Sequence, residues 1–152
     1  MKKKILSIFI TSMMLISCGK DESIKEETNN AEKHNYEVIF TQEGDLNESI
    51  VVLSLTSIND GMVASKIIDV SSNENLGNPV LLNMQEKEEG QFSYTNEEDT
   101  NSIHVVVTVT VDKDAERDYE YDLMILKDGA EVYHKKHVKT PGTSIEQLSL
   151  SY

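Results

Sequence analysis

The densest cluster of metal-capable side chains in the sequence is the alternating run Asp112, Asp114, Glu116 and Asp118. Hard cations such as calcium take about six to eight oxygen ligands, and an acidic loop supplies that kind of donor. A helix-flanked calcium loop also needs a glycine at its sharp turn and a bidentate glutamate at its close. Arg117 and Leu123 stand at those places, and Lys113 and Arg117 neutralise part of the field. The run therefore reads as a solvated acidic corner. It carries no expected metal, although its four carboxylates are the ones calcium would use. Glu97-Glu98-Asp99 is a weaker acidic turn of the same kind. His134 and His137 suggest a metal pair until strand geometry is applied, because residues three apart on a strand face opposite ways. His104 and His34 show no partner in the sequence. Serines are scattered without a Gly-x-Ser-x-Gly elbow, so nothing supports a hydrolase. With no tryptophan, a sugar platform would fall to Tyr94, Tyr121, Tyr133 and Tyr152, which at strand spacing read as core or edge residues.

The remaining reactive group is a thiol, and Cys18 is the only cysteine. Lys2, Lys3 and Lys4 precede an apolar stretch broken only by Ser7, Thr11 and Ser12. The stretch ends in Leu15-Ile16-Ser17-Cys18-Gly19. It is too short for a membrane span of about 20 apolar residues, and it turns abruptly polar after Cys18. The arrangement resembles the lipobox of bacterial lipoproteins. That resemblance implies a signal peptide over residues 1–17, cleavage before Cys18, a diacylglycerol on its thiol and acylation of the new amine. Several acyl chains at one site anchor stably where one would be marginal. Lys20, Asp21 and Glu22 follow at once and resemble the lipoprotein export signal of Bacteroidetes-type bacteria. The resemblance implies an outer-membrane lipoprotein facing the cell exterior.

With Cys18 lipidated, the mature chain has no thiol for a disulfide, a cysteine zinc site or a cysteine nucleophile. Its fold must rest on its core alone. The formal net charge is −13, and loss of the three signal lysines makes the mature chain more acidic still. Such a surface repels nucleic acid and anionic headgroups. Cations, basic protein surfaces and neutral ligands remain as partners.

Residues 18–35 form an expected lipidated cysteine and flexible polar tether, with too little apolar surface to order itself. From Tyr36 the pattern turns to period two, and residues 36–152 read as a single domain. Ile103, Val105, Val107, Val109 and Val111 fill one face of a long strand. Further strands are expected at Tyr36–Thr41, Ser49–Ser57, Met62–Val70, Val80–Met84, Gln91–Thr95, Tyr119–Lys127, Glu131–Lys139 and Ile145–Tyr152. Around Ala115–Leu126 a helical stripe competes, but Tyr119, Tyr121, Leu123 and Ile125 alternate and lead into an Asp128-Gly129 hairpin turn. Lys135, Lys136 and Lys139 read as protection of an edge strand.

The valine strand, acidic corner, Tyr-x-Tyr strand and hairpin return resemble strands E, F and G of immunoglobulin-like domains, without their cysteines or tryptophan. Tyr119 would then stand near a tyrosine corner. The implied fold is an all-β, immunoglobulin-like antiparallel sandwich of about seven to nine strands. A small lipocalin-like barrel is the alternative. The function that follows is a lipid-anchored, non-enzymatic envelope module, displayed at the cell surface and binding a protein or glycan. No cofactor is expected beyond the lipid on Cys18. The rivals are a structural accessory subunit of an outer-membrane complex and a small envelope hydrolase.

Overall fold

The computed structural model describes residues 31–60, 62–63 and 65–152. The expected signal segment, Cys18 and Lys20, Asp21 and Glu22 lie outside the described residues. Among the described residues eleven strands follow one another: β1 (Tyr36–Glu43), β2 (Ser49–Asn59), β3 (Met62–Val63), β4 (Ile67–Asp69), β5 (Glu74–Gly77), β6 (Val80–Asn83), β7 (Gly90–Asn96), β8 (Ser102–Val111), β9 (Tyr119–Lys127), β10 (Ala130–Lys139) and β11 (Glu146–Ser151). A single 3-10 turn, Met84–Glu86, separates β6 from β7.

One sheet has the order β10-β9-β1-β7-β4-β5. The other has the order β11-β8-β2-β3, with β6 also pairing β2. The two sheets do not close on each other into a barrel, so the fold is a β-sandwich. The strands in excess of the expected number come from residues 62–83. There the expected strand Met62–Val70 divides into β3 and β4, and β5 forms inside a segment that reads as turn. Elements of two to four residues are too short to show a period.

The alternation in the sequence sets which face is buried. Tyr36, Val38 and Phe40 of β1, Val51, Leu53 and Leu55 of β2, and Ile103, Val105, Val107 and Val109 of β8 are fully buried. Tyr119, Tyr121, Leu123 and Ile125 of β9 join them, which a helix over this segment could not achieve. The chain crosses from β8 in one sheet to the β9–β10 hairpin in the other, as strands E, F and G do. Asp128 (φ 51°) and Gly129 (φ 77°) take the paired positive angles of a tight hairpin turn. Tyr119 is not a tyrosine corner: its hydroxyl donates to the side chain of Gln42 rather than to upstream backbone.

β10 is an edge strand, but its lysines do more than guard it. Lys139 is only 7% exposed, and its ammonium donates to the Ser144 carbonyl across the β10–β11 turn. Lys136 lies between Glu120 and Glu43 on the outer face of the sheet. Of the three, Lys135 and Lys136 keep the exposed edge positions expected of them, and Lys139 does not.

Candidate functional site

β1 runs the length of the sandwich and gives it two poles. Its eight residues, at about 3.4 Å each, span roughly 25 Å. The chain enters at one pole, and there the reading of residues 31–35 as free tether needs correction. His34 exchanges backbone hydrogen bonds with Thr100 at 2.8 and 2.9 Å. Its Nδ1 lies 2.7 Å from Asp128 Oδ2, while the Asn35 N–H donates to Asp128 Oδ1 at 2.9 Å. Asn101 Nδ2 donates to the Ala31 carbonyl at 2.8 Å. Polar residues with no apolar face still dock when a turn offers matching donors and acceptors. The imidazole of His34 and the Asn35 N–H hold the Asp128 carboxyl below the usual aspartate range.

The opposite pole is built from residues 44–48, 84–89, 112–118 and 140–145, the loops that leave the far ends of β1, β6, β8 and β10. Gln42 of β1, 1% exposed, ties the 84–89 loop to β9. Its Nε2 donates to the carbonyls of Met84 (2.8 Å) and Glu88 (3.1 Å), and its Oε1 accepts from Tyr119 at 2.8 Å. Gly44 permits the next contact. A Cβ there would stand 2.3 Å from the Asp118 carbonyl oxygen, at a φ of +126° that favours glycine. Glu89 accepts from the Gly44 N–H at 3.0 Å, and Arg117 Nη2 donates to the Gly44 carbonyl at 2.8 Å.

Over this floor opens a cleft of about 540 Å³ lined by Glu43, Gly44, Glu89, Glu116, Arg117, Asp118 and Glu120. Two of the four corner carboxylates, Glu116 and Asp118, reach it. Asp114 and Asp112 do not: Asp112 Oδ1 instead accepts the Asp114 N–H at 2.9 Å and shapes the turn. Glu43, Glu89 and Glu120 come from distant parts of the sequence. Their only sequence-level signal is an acid at or beside a strand end. The Lys136 ammonium beside Glu120 keeps that carboxyl below its ordinary range. Among the described residues no three His, Cys, Asp or Glu converge tightly enough to hold one metal ion. As folded, the cleft is a negative surface with one guanidinium across it, suited to a cationic or hydrogen-bonding partner.

The other candidate residues are dispersed. His134 and His137 do face opposite ways. His134 Nε2 lies 3.1 Å from Asp122 on the outer face. His137 turns inward, stacks on Tyr121 with ring centroids 4.6 Å apart, and sets Nδ1 3.0 Å from Glu146. Tyr133 and Tyr121 add their hydroxyls to this cluster, at 3.2 Å from His137 Nε2 and 2.9 Å from Glu146. Burial pushes the Tyr121 phenol well above its usual range. The cluster ties β10 in one sheet to β11 in the other. His104 meets Ser151 at 3.1 Å. Tyr94 is fully buried beneath Met84, and Tyr133 and Tyr152 are half-buried against each other, so none of the candidate tyrosines presents an open ring.

No family model matches the sequence, and no curated protein matches it. Solved structures do. A DUF4425 family protein from Bacteroides ovatus superposes with a TM-score of 0.63 at 18% identity, covering 79% of this chain and 96% of that one. A DUF4425 domain of unknown function from Bacteroides vulgatus gives 0.64 at 17%, covering 79% and 95%. The calcium-bound form of a protein from Parabacteroides distasonis, solved by NMR, gives 0.63 at 22%, covering 80% and 93%. At these identities the likeness is one of fold.

Proposed function

We propose that the chain is a non-enzymatic binding module, anchored by lipid at Cys18 to the outer membrane and displayed outside the cell. It engages a protein or glycan partner with the pole opposite its tether. The observation that carries this reading is the course of β1. The strand starts where residues 31–35 are pinned and ends at Glu43, on the rim of the acidic cleft. A tether leaving the entry pole therefore turns the cleft away from the membrane. An anionic cleft also suits that direction, since an acidic surface is repelled by anionic headgroups. The lipid-anchored protein, gently solubilised from membranes, is the bait that tests this. A partner retained by wild type should be lost on Glu116→Lys with Asp118→Lys, and kept when Glu32→Lys and Glu98→Lys reverse charge at the entry pole. Equal loss in both variants would place recognition elsewhere.

A second reading is that the far pole holds calcium. What favours it is the calcium-bound state of the Parabacteroides distasonis neighbour. Donors of the right kind are present in Asp112, Asp114, Glu116 and Asp118, although the turn around Asp112 would have to open for them to converge. Calcium raising the melting temperature well beyond magnesium at equal ionic strength, with the difference lost in Asp114→Ala, supports this reading. Equal small shifts support the solvated corner.

A further inference from the structure

The two outer faces of the sandwich differ in charge. On the sheet containing β1 and β9, the outward positions include Glu37, Glu43, Glu120 and Asp122, with Lys136 and His134 beside them on β10. On the other sheet, the outward positions of β11, β8, β2 and β6 carry no Asp, Glu, Lys or Arg among the described residues. The central row of that face runs Ser149–Val106–Ser54–Leu81 across four strands, fixed by the pairing registers. Two large apolar side chains stand on it in the open, Ile50 at 60% exposure and Leu81 at 71%. A charge-free, partly apolar face is unusual on a chain of net charge −13 in which 27% of residues are charged.

We propose that this face is where two copies of the chain meet, face to face, at the membrane surface. Charge selects the occupant. Two copies that each carry a large negative charge repel through most approaches, and of the two sheet faces this one lets surfaces come together without burying like charges. A basic partner is instead drawn to the acidic pole, since on this face its cations would be desolvated without counter-charges. Four strands about 4.8 Å apart and rows about 7 Å apart give a projected area on the order of 500 Å². That area is below the roughly 800 Å² per partner of a standard interface, so the dimer is weak in free solution. Confinement of both copies to one membrane raises their effective concentration. A two-fold axis parallel to the strands leaves both entry poles on the same side, which two lipid tethers in one membrane require. The geometry part of the proposal stands without the lipid; the membrane part rests on the anchoring reading above.

Crosslinking of the full-length chain in intact cells tests it. Ser54→Cys places a thiol at the middle of the face, next to Val106 across the strand pair. Thr95→Cys, on the outer side of the other sheet, is the control. With a short bis-maleimide, Ser54→Cys should give a species of twice the chain mass in most of the protein, and Thr95→Cys should give little. Added Leu81→Glu should cut the Ser54→Cys yield several-fold, and raising salt should increase it by screening the acidic surfaces. The wild-type chain separates the two readings, because dimer formed through Cys18 would show that thiol unlipidated and would undermine the anchor, not the face. The proposal is overturned if Ser54→Cys stays monomeric, if it crosslinks only to a different protein, or if Thr95→Cys dimerises equally.

Discussion

At the scale of single residues, the far pole depends on one buried amide. Gln42 satisfies carbonyls of the 84–88 loop and the Tyr119 hydroxyl at once. Gln42→Leu leaves those groups buried without partners, at about 1–3 kcal/mol each before relaxation. Urea unfolding should show a loss within that range or above it, and an unchanged midpoint would remove Gln42 from its role. The entry pole makes a prediction about pH. The Asp128 carboxyl is held below its ordinary range by His34 and the Asn35 N–H, so its folded value is the depressed one. Its contribution to pinning residues 31–35 is then complete above the unfolded aspartate value of about 3.9 and fades as pH falls through the folded value. The Thr100 amide, which donates to the His34 carbonyl, should move in its NMR shift as pH falls below about that value. In Asp128→Asn it should be displaced already at neutral pH, and an unmoved signal there would contradict the latch.

At the scale of elements, the sequence was most readable where a strand is long and half-buried. β8 declares its face through five aligned aliphatic residues, and all five are buried. Val107→Asp would bury an unpaired charge among them and should abolish folding; circular dichroism showing a native domain with unchanged melting would refute the register. Gly129, at a φ of +77°, was legible as a turn residue because Asp-Gly pairs need such angles. Gly129→Ala should cost about 1–2 kcal/mol in thermal unfolding. The acidic cleft was not legible as a site. Glu43, Glu89 and Glu120 are brought to Glu116 and Asp118 by antiparallel pairing of β1 with β7 and β9, and nothing local in the sequence encodes that meeting. The docking of His34 was hidden for the same reason: its partners Thr100 and Asp128 sit far along the chain. The charge-free outer face, by contrast, was written in the even positions of β2 and β8. It became visible only once the register placed them side by side.

At the scale of the whole molecule, the proposed function is directional: lipid at one end, recognition at the other, on the outside of the cell. The fold supplies the axis through β1, and the Cys18 lipobox and Lys20-Asp21-Glu22 supply the expectation of anchoring and export. Protease added to intact cells measures that arrangement directly. Wild-type protein should be removed from the cell surface, its tether cut while periplasmic markers survive. Replacement of Lys20, Asp21 and Glu22 by alanine should protect the protein until the outer membrane is broken, and Cys18→Ser should release it from the membrane fraction altogether. Wild-type protein that resists protease on intact cells, yet is digested once the outer membrane is opened, would contradict surface display and turn the far pole toward the periplasm.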